Sequence, residues 1–180
     1  MPNSFVALLR GINLGPRNRV AMGELRALFD DLGYANVETY LQSGNVVFRG
    51  RAAKAATLEG AIAKRIAADL GVDAKVLVRT GSEMARLVTA NPLATKGVSA
   101  EQLHVTFLRS RPKASAVNAI DDAKFAPDRF AVHGREVYLR CPNGYGRSKL
   151  SNAFFERQFS TIATTRNWKT VTTLAKMSAT

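Results

Sequence analysis

The sequence predicts an α+β protein made of two tandem ferredoxin-like (βαββαβ) modules, with mostly antiparallel sheets and an added C-terminal helix. Two observations indicate this fold: the order of apolar periodicities in the first 80 residues, and the return of that order after residue 102. A length of 180 residues suits one large domain or two small ones. We predict a first module at 1–80, a helical connector at 81–102, and a second module with the C-terminal helix at 103–180.

The first module alternates short apolar runs with helical periodicity. Its first run, Phe5–Leu9, is apolar at every position, which predicts a central strand buried on both faces. Gly33 and Gly71 follow the two helical stretches where left-handed C-terminal caps belong. The predicted elements are a strand at 5–9, a helix at 22–32, a hairpin of strands 37–42 and 45–49 around Ser43-Gly44, a helix at 58–70 and a strand at 74–79.

The connector and the second module repeat these signals. Ser82 is in position to cap a connector helix that stops before Asn91-Pro92. Gly134-Arg135 suits a two-residue hairpin turn of the II′ kind. The predicted elements of the second module are a strand at 103–108, a short helix at 114–120, hairpin strands at 129–133 and 136–140, a helix at 150–159, a strand at 160–165 and a terminal helix at 168–177.

The chain is strongly basic, with a net charge of +12, of which residues 81–180 carry +8. A basic surface favours phosphate-rich partners through counterion release, although a solvated basic surface is an equally good interpretation. No apolar stretch reaches the roughly 20 residues of a membrane span, and the N-terminus has no signal-peptide pattern. With a single cysteine, Cys141, we expect a cytoplasmic protein with no membrane partner, present as a monomer or homodimer.

Three segments together resemble a known family. They are LLRGINLG at 8–15, TYLQSGNVVF at 39–48 and TTRNWKTV at 164–171. In this order they resemble the bacterial family called domain of unknown function 1697, over nearly the whole chain from Phe5 to Met177. The resemblance implies no particular activity. This chain has Pro16 where a second glycine is common in the family, which makes its first loop stiffer.

The topology predicts a first cluster of polar residues. In a split βαβ module the first and second strands run in the same direction, so the loops that follow them lie at one end of the sheet. The first loop also leads into a helix N-terminus, which favours an anion. The alternative is that the asparagines satisfy turn backbone and the arginine pairs with a carboxylate. The predicted ligand-binding residues here are Arg10, Gly11, Asn13, Gln42, Ser43 and Asn45.

A second cluster is predicted in the other module, where the third and fourth strands also run in one direction. Residues 145–180 hold six basic side chains and one acidic side chain, which makes this the most electropositive segment. The alternative is that Trp168 anchors the terminal helix, Asn167 or Thr165 caps it, and the charges face water. The predicted ligand-binding residues here are Tyr145, Arg147, Lys149, Arg166 and Asn167.

Catalytic patterns are scarce. His104 and His133 are scattered, no base is placed beside Cys141, and no spacing predicts a metal site or a cofactor. The strands that would stack RNA bases carry one aromatic residue each, which disfavours base stacking. We therefore predict binding of a phosphate- or carboxylate-bearing ligand, either a small molecule or a nucleic acid backbone. The alternatives are an enzyme acting on a small phosphorylated substrate through Arg and Lys electrostatics, and a structural or protein-interaction module.

Overall fold

The structure, a computed structural model of the chain, describes residues 2–179. Within them the strands are β1 (Asn3–Arg10), β2 (Ala35–Tyr40), β3 (Asn45–Gly50), β4 (Lys75–Thr80), β5 (Leu103–Leu108), β6 (Arg129–His133), β7 (Glu136–Arg140) and β8 (Ala163–Asn167). The α-helices are α1 (Met22–Asp31), α2 (Ala55–Leu70), α3 (Gly81–Thr89), α4 (Ala114–Asn118), α5 (Asn152–Phe159) and α6 (Trp168–Met177). Short 3-10 helices cover Ala100–Gln102, Asp122–Phe125 and Tyr145–Arg147.

The strands form two four-stranded sheets with the same topology. Their strand orders are β2-β3-β1-β4 and β6-β7-β5-β8, and every neighbouring pair is antiparallel. In both sheets the first strand of the module lies in the centre beside the third and fourth strands. This is the strand order of the split βαβ arrangement, so the predicted tandem ferredoxin-like fold is confirmed.

The chain divides into two compact units. The first unit consists of Met1–Arg86 and Thr173–Thr180, and the second consists of Leu87–Thr172. The boundaries fall inside α3 and inside α6, so each of these helices begins in one unit and ends in the other. Each unit therefore contains a complete βαββαβ sheet, and the first unit also includes the end of α6, which comes from the far end of the chain.

The core of the first unit lies between one face of its sheet and the helices α1 and α2. The buried face of α1 carries Leu25, Leu28 and Phe29, and that of α2 includes Ile62 and Ile66. Each such side chain contributes about 1.5–3 kcal/mol when it is fully buried. Every residue of the apolar run at the centre of β1 is at most 1% exposed, which confirms that both faces of this strand are buried.

The core of the second unit lies between its sheet and α5. Leu108, Val137 and Leu139 point from the strands toward Leu150 and Phe155. The ring of Phe155 also packs against two other aromatic rings of this core, one from β6 and one from α5. The apolar residues predicted for this helix therefore serve to cover the sheet.

Most helix ends are where the sequence predicts them. Gly71 follows α2 in the left-handed conformation, with φ 65°. The cap predicted for Ser82 is wrong, because α3 begins at Gly81 and Thr80 precedes it. The Thr80 hydroxyl accepts from the Glu83 amide at 3.1 Å, and Glu83 accepts from the Thr80 amide at 2.8 Å. This reciprocal pair is a capping box, in which a carboxylate three residues along satisfies the second orphan donor.

A buried arginine marks the same position in both modules. Arg79 in β4 and Arg166 in β8 each pair with a valine of the first strand of their own sheet. Arg79 is 0% exposed and Arg166 is 8% exposed. In each case the next residue, Thr80 or Asn167, caps the helix that follows. The two modules thus share a short signature, a buried arginine followed by a capping residue and a helix, as well as the order of their elements.

Candidate functional site

The loops that follow β1 and β2 lie side by side, as the topology predicts. The amide of Leu9 donates to the carbonyl of Gly44 at 2.8 Å. The side chain of Asn13 donates to the carbonyl of Gln42 at 2.8 Å. The predicted proximity of the first cluster is therefore confirmed, and a side chain holds the two loops together.

The two asparagines of this cluster organise their own turns. Asn13 donates to the carbonyl of Val20 at 3.0 Å and accepts from its amide at 2.8 Å. Asn45 is fully buried and donates to the carbonyl of Tyr40 at 2.7 Å and to the hydroxyl of Ser43 at 3.1 Å. These contacts are the ones expected of asparagines that satisfy turn backbone. The described geometry of the first cluster accordingly favours its structural interpretation.

Gly44 allows the two loops to approach so closely. A Cβ at this position would lie 2.7 Å from Cδ1 of Ile12 and 2.8 Å from Cβ of Leu9. Its φ of +88° is also in the region that L side chains rarely adopt. Gly44 is therefore needed both for the turn and for the close approach of its backbone to the side chains of Leu9 and Ile12.

Two leucines are exposed beside these contacts. Leu14 follows Asn13 and is 84% exposed, and Leu41 precedes Gln42 and is 52% exposed. Leu41 also has a φ of 61°, which costs a leucine about 1–2 kcal/mol. Nothing in the described contacts explains why leucine occupies this strained and exposed position.

The second cluster is only partly brought together. Tyr145 lies against β8, where its hydroxyl donates to the hydroxyl of Thr165 at 3.1 Å, and its ring stacks on His104 with centroids 4.9 Å apart. The Thr165 hydroxyl in turn donates to Oδ1 of Asn152 at 2.7 Å. The loop that follows β7 is thus a neighbour of β8, as the topology predicts, and side-chain hydrogen bonds join the loop, β8 and the start of α5.

Arg166 and Asn167 contact their own strand and the helix that follows it, and neither lines the surface cleft that contains Arg147 and Lys149. Successive side chains of a strand point to opposite faces, so Arg166 lies on the other face of the sheet from Thr165. Its guanidinium donates to the hydroxyl of Thr164 at 2.7 Å and to the carbonyl of Thr165 at 3.0 Å. Burial lowers the pKa of Arg166 to about 10. Asn167 caps α6, where its Oδ1 accepts from the amide of Thr170 at 2.8 Å.

Arg147 and Lys149 meet a third cation in a surface cleft. This cationic cleft has a volume of about 250 Å³ and also contains Lys124 and Asp128. Its remaining lining comes from the segments 125–127 and 143–144. The three cationic side chains are exposed and Asp128 is half-buried. A space with three positive charges and one negative charge attracts anions, and Arg147 can offer two parallel N–H donors to a phosphate or carboxylate.

Lys124 and Asp128 were not predicted from the sequence. The predicted cluster rested only on the loops that follow strands of the same direction, whereas the antiparallel hairpin brings another segment to the same edge. Arg129 at the start of β6 pairs with Arg140 at the end of β7. The segment before β6 must therefore lie beside the loop after β7. The predicted hairpin around Gly134-Arg135 could have indicated this, because its register determines that the segment before β6 and the loop after β7 are neighbours.

Cys141 begins the loop after β7 and is fully buried. Burial raises the pKa of its thiol, and a hydrogen bond with Ser148 acts in the opposite direction. The thiol is therefore protonated at neutral pH, which is the poorly nucleophilic form.

Within residues 2–179 we find no cluster of three or more His, Cys, Asp and Glu side chains able to hold a metal ion. No helix in this part of the chain is long and apolar enough to cross a membrane.

The fold and the cleft define an α+β protein of two ferredoxin-like units whose polar loops lie at the ends of its sheets. The chain belongs to the family described as protein of unknown function (DUF1697), which matches residues 2–138. Its fold is similar to that of a solved structure, the conserved bacterial protein SP0830 from Streptococcus pneumoniae. The TM-score is 0.73 at 19% identity, over 99% of this chain and 100% of that chain. The search of curated proteins returned no match.

Proposed function

We propose that the protein binds a small phosphate- or carboxylate-bearing ligand in the cationic cleft. The observation that carries the proposal is the convergence of Lys124, Arg147 and Lys149 on one space of about 250 Å³. Two of these residues come from the loop after β7 and one from the segment before β6, so the two chain segments at the open end of the β6–β7 hairpin supply the charges. Loops fixed to a rigid scaffold are where binding residues are most often found.

The charges in the cleft also predict how binding would depend on its residues. Lys149 acts as a compact positive charge, whereas the planar guanidinium of Arg147 can form a bidentate contact. Asp128 opposes anion binding through like-charge repulsion. Replacing Asp128 with asparagine should therefore tighten binding, which simple damage to the fold would not do.

The experiment is a thermal-shift and calorimetric titration with inorganic phosphate, pyrophosphate and citrate at fixed ionic strength. A ligand present at about 100 times its Kd stabilises the folded state by about 2.7 kcal/mol, which raises the Tm of a protein of this size by several degrees. Arg147→Ala and Lys149→Ala should weaken binding, and Asp128→Asn should strengthen it. Lys113→Ala is the matched control, because it removes an exposed positive charge that lies outside the cleft lining.

Two results would contradict the proposal. One is the absence of stabilisation by any of the three anions at millimolar concentrations. The other is binding that Arg147→Ala, Lys149→Ala and Lys113→Ala all weaken equally, because that result would indicate a diffuse response to net charge. A steep salt dependence together with tighter binding of an RNA or DNA duplex would favour a nucleic acid backbone as the ligand instead.

A further inference from the structure

A second cleft adjoins the cationic cleft. It has a volume of about 610 Å³, and its lining includes the apolar residues Pro92, Leu93, Ala123, Phe130 and Ala131. We call it the apolar cleft. The two clefts share Ala126, Pro127 and Asp128, so this short segment forms a wall that both contact.

We propose that the ligand of the cationic cleft is a phosphate or carboxylate bound to an apolar organic group. The anionic head lies among Lys124, Arg147 and Lys149, and the apolar body extends across Ala126-Pro127 into the apolar cleft. This inference rests on the proposed function and names the chemical class of its ligand.

The sizes of the two clefts support this assignment. Sites for small molecules usually measure about 300–1,000 Å³, and a large part of their lining is apolar. The cationic cleft, at about 250 Å³, falls below this range and suits a charged head alone. The apolar cleft, at about 610 Å³, has room for the rest of such a molecule.

An aromatic contact connects the two spaces. Phe125 lines the cationic cleft and Phe130 lines the apolar cleft. Their ring centroids are 6.2 Å apart and their planes meet at 87°, an edge-to-face arrangement. The linings of the two clefts are therefore in direct contact, which keeps the clefts adjacent, as a ligand with one charged end and one apolar end requires.

The charges around the apolar cleft set the orientation of the ligand. Asp122, Asp128 and Arg129 contribute two negative charges and one positive charge to its lining. A second anionic group placed there would meet net negative charge, whereas the cationic cleft has an excess of positive charge. The ligand therefore carries its negative charge at one end, unlike a nucleic acid strand, which carries a phosphate at every nucleotide.

The test compares a graded series of probes by calorimetry on the full chain. The probes are inorganic phosphate, phenyl phosphate, hexyl phosphate and a nucleoside monophosphate, with hexanol as the neutral control. We expect at least one ester to bind about tenfold or more tightly than inorganic phosphate, and hexanol to bind weakly. The rank of the aryl, alkyl and nucleoside esters then identifies the apolar group that fits.

Two variants test whether the apolar cleft contributes to the affinity for the esters. Leu93→Ser and Pro92→Ser should each reduce the preference for the ester severalfold and leave the affinity for inorganic phosphate unchanged. Lys149→Ala should weaken every phosphorylated probe. Pro92 is exposed, so its variant keeps the test decisive if Leu93→Ser lowers the stability of the fold.

The outcomes separate the two proposals. If inorganic phosphate binds as tightly as every ester, the inference is overturned and the proposed function stands. It is overturned equally if an ester binds more tightly but Pro92→Ser and a folded Leu93→Ser both leave its affinity unchanged, or if an RNA duplex binds more tightly than all the esters. If no anion binds, the proposed function fails and the inference fails with it.

Discussion

Asn13 Nδ2 donates a hydrogen bond of 2.8 Å to the main-chain carbonyl of Gln42, and the same side chain is bonded to both main-chain groups of Val20. One amide thus closes the loop that follows β1 and joins it to the turn that follows β2. These are the two segments with the most recognisable sequence in the first module. These hydrogen bonds indicate that at least part of the sequence pattern serves to fold the loops.

Replacing Asn13 with alanine should lower the free energy of unfolding by about 2–4 kcal/mol. The change removes three hydrogen bonds and leaves the Val20 amide without its acceptor, and an unsatisfied buried group costs about 1–3 kcal/mol. Asn13 also has a φ of 52°, which alanine adopts poorly. Urea denaturation measures the effect. Asn13→Gly is the control, because glycine tolerates this φ and therefore isolates the side-chain contribution. A loss below about 0.5 kcal/mol in both variants would show that the amide is dispensable.

Gly44→Ala and Gly33→Ala form a matched pair. Both glycines have a positive φ, +88° and +84°, so both substitutions cost about 1–2 kcal/mol in backbone strain. Only at Gly44 would the new Cβ meet atoms closer than 3.0 Å, and overpacking of this kind costs about 1–3 kcal/mol more. Chemical denaturation should therefore show a larger loss for Gly44→Ala. Equal losses would mean that Ile12 and its loop move aside freely.

Leu41→Gly should stabilise the protein. Leu41 is 52% exposed and has a φ of 61°, so glycine relieves strain and removes little buried surface. After the greater flexibility of glycine in the unfolded chain is subtracted, the expected gain is about 0.5–1 kcal/mol, or a rise in Tm of a few degrees. Differential scanning calorimetry measures it. A fall in Tm would indicate that the leucine side chain contributes packing that its exposure conceals.

His104 should make the protein sensitive to mild acid. Burial lowers the pKa of His104, and this effect is partly offset by the main chain of Gln102. Above about pH 6.5 the imidazole is neutral in both folded and unfolded chains. As the pH falls below that value, the unfolded chain takes up a proton before the folded one does, so stability decreases.

The pH dependence of unfolding checks this prediction. Between about pH 6.5 and pH 5, stability should fall less steeply in His104→Gln than in the wild type. His133→Gln is the control, since His133 is exposed on β6. The prediction is wrong if the two variants have the same slope over this range.

The topology was predictable because the local signals in the sequence agree with the fold as a whole. The apolar run at Phe5–Leu9, the glycine that ends α2 and the hairpin at Gly134-Arg135 all have local causes that act within a few residues. The last strand was the least accurate prediction: the β-branched residues of 160–165 suggested its position, whereas β8 runs from Ala163 to Asn167. Pairing with β5 decides that register, and a local pattern does not contain this information.

The candidate site was predictable only in part. The basic loop was found because strand direction determines which loops are neighbours, and Arg147 and Lys149 do line one cleft. The position of Arg166 depends on which face of β8 it occupies, and a shift of one residue in the predicted strand reverses that face. Placing Lys124 in the site requires knowledge of the hairpin register. The apolar cleft includes Pro92 and Leu93, which lie far in the sequence from the rest of its lining.

The composition of the first unit has a consequence for synthesis of the chain. That unit includes Thr173–Thr180, and a Cβ on Gly81 would lie 2.5 Å from the carbonyl oxygen of Ser178, which shows how closely this segment packs against the start of α3. Domains generally fold as they leave the ribosome, beginning with the N-terminal one. Here the N-terminal unit is completed only by residues that are translated after the whole of the second unit. A nascent chain stalled before residue 173 would therefore expose an unfinished first unit, and a nonsense mutation late in the coding sequence would affect the module translated first.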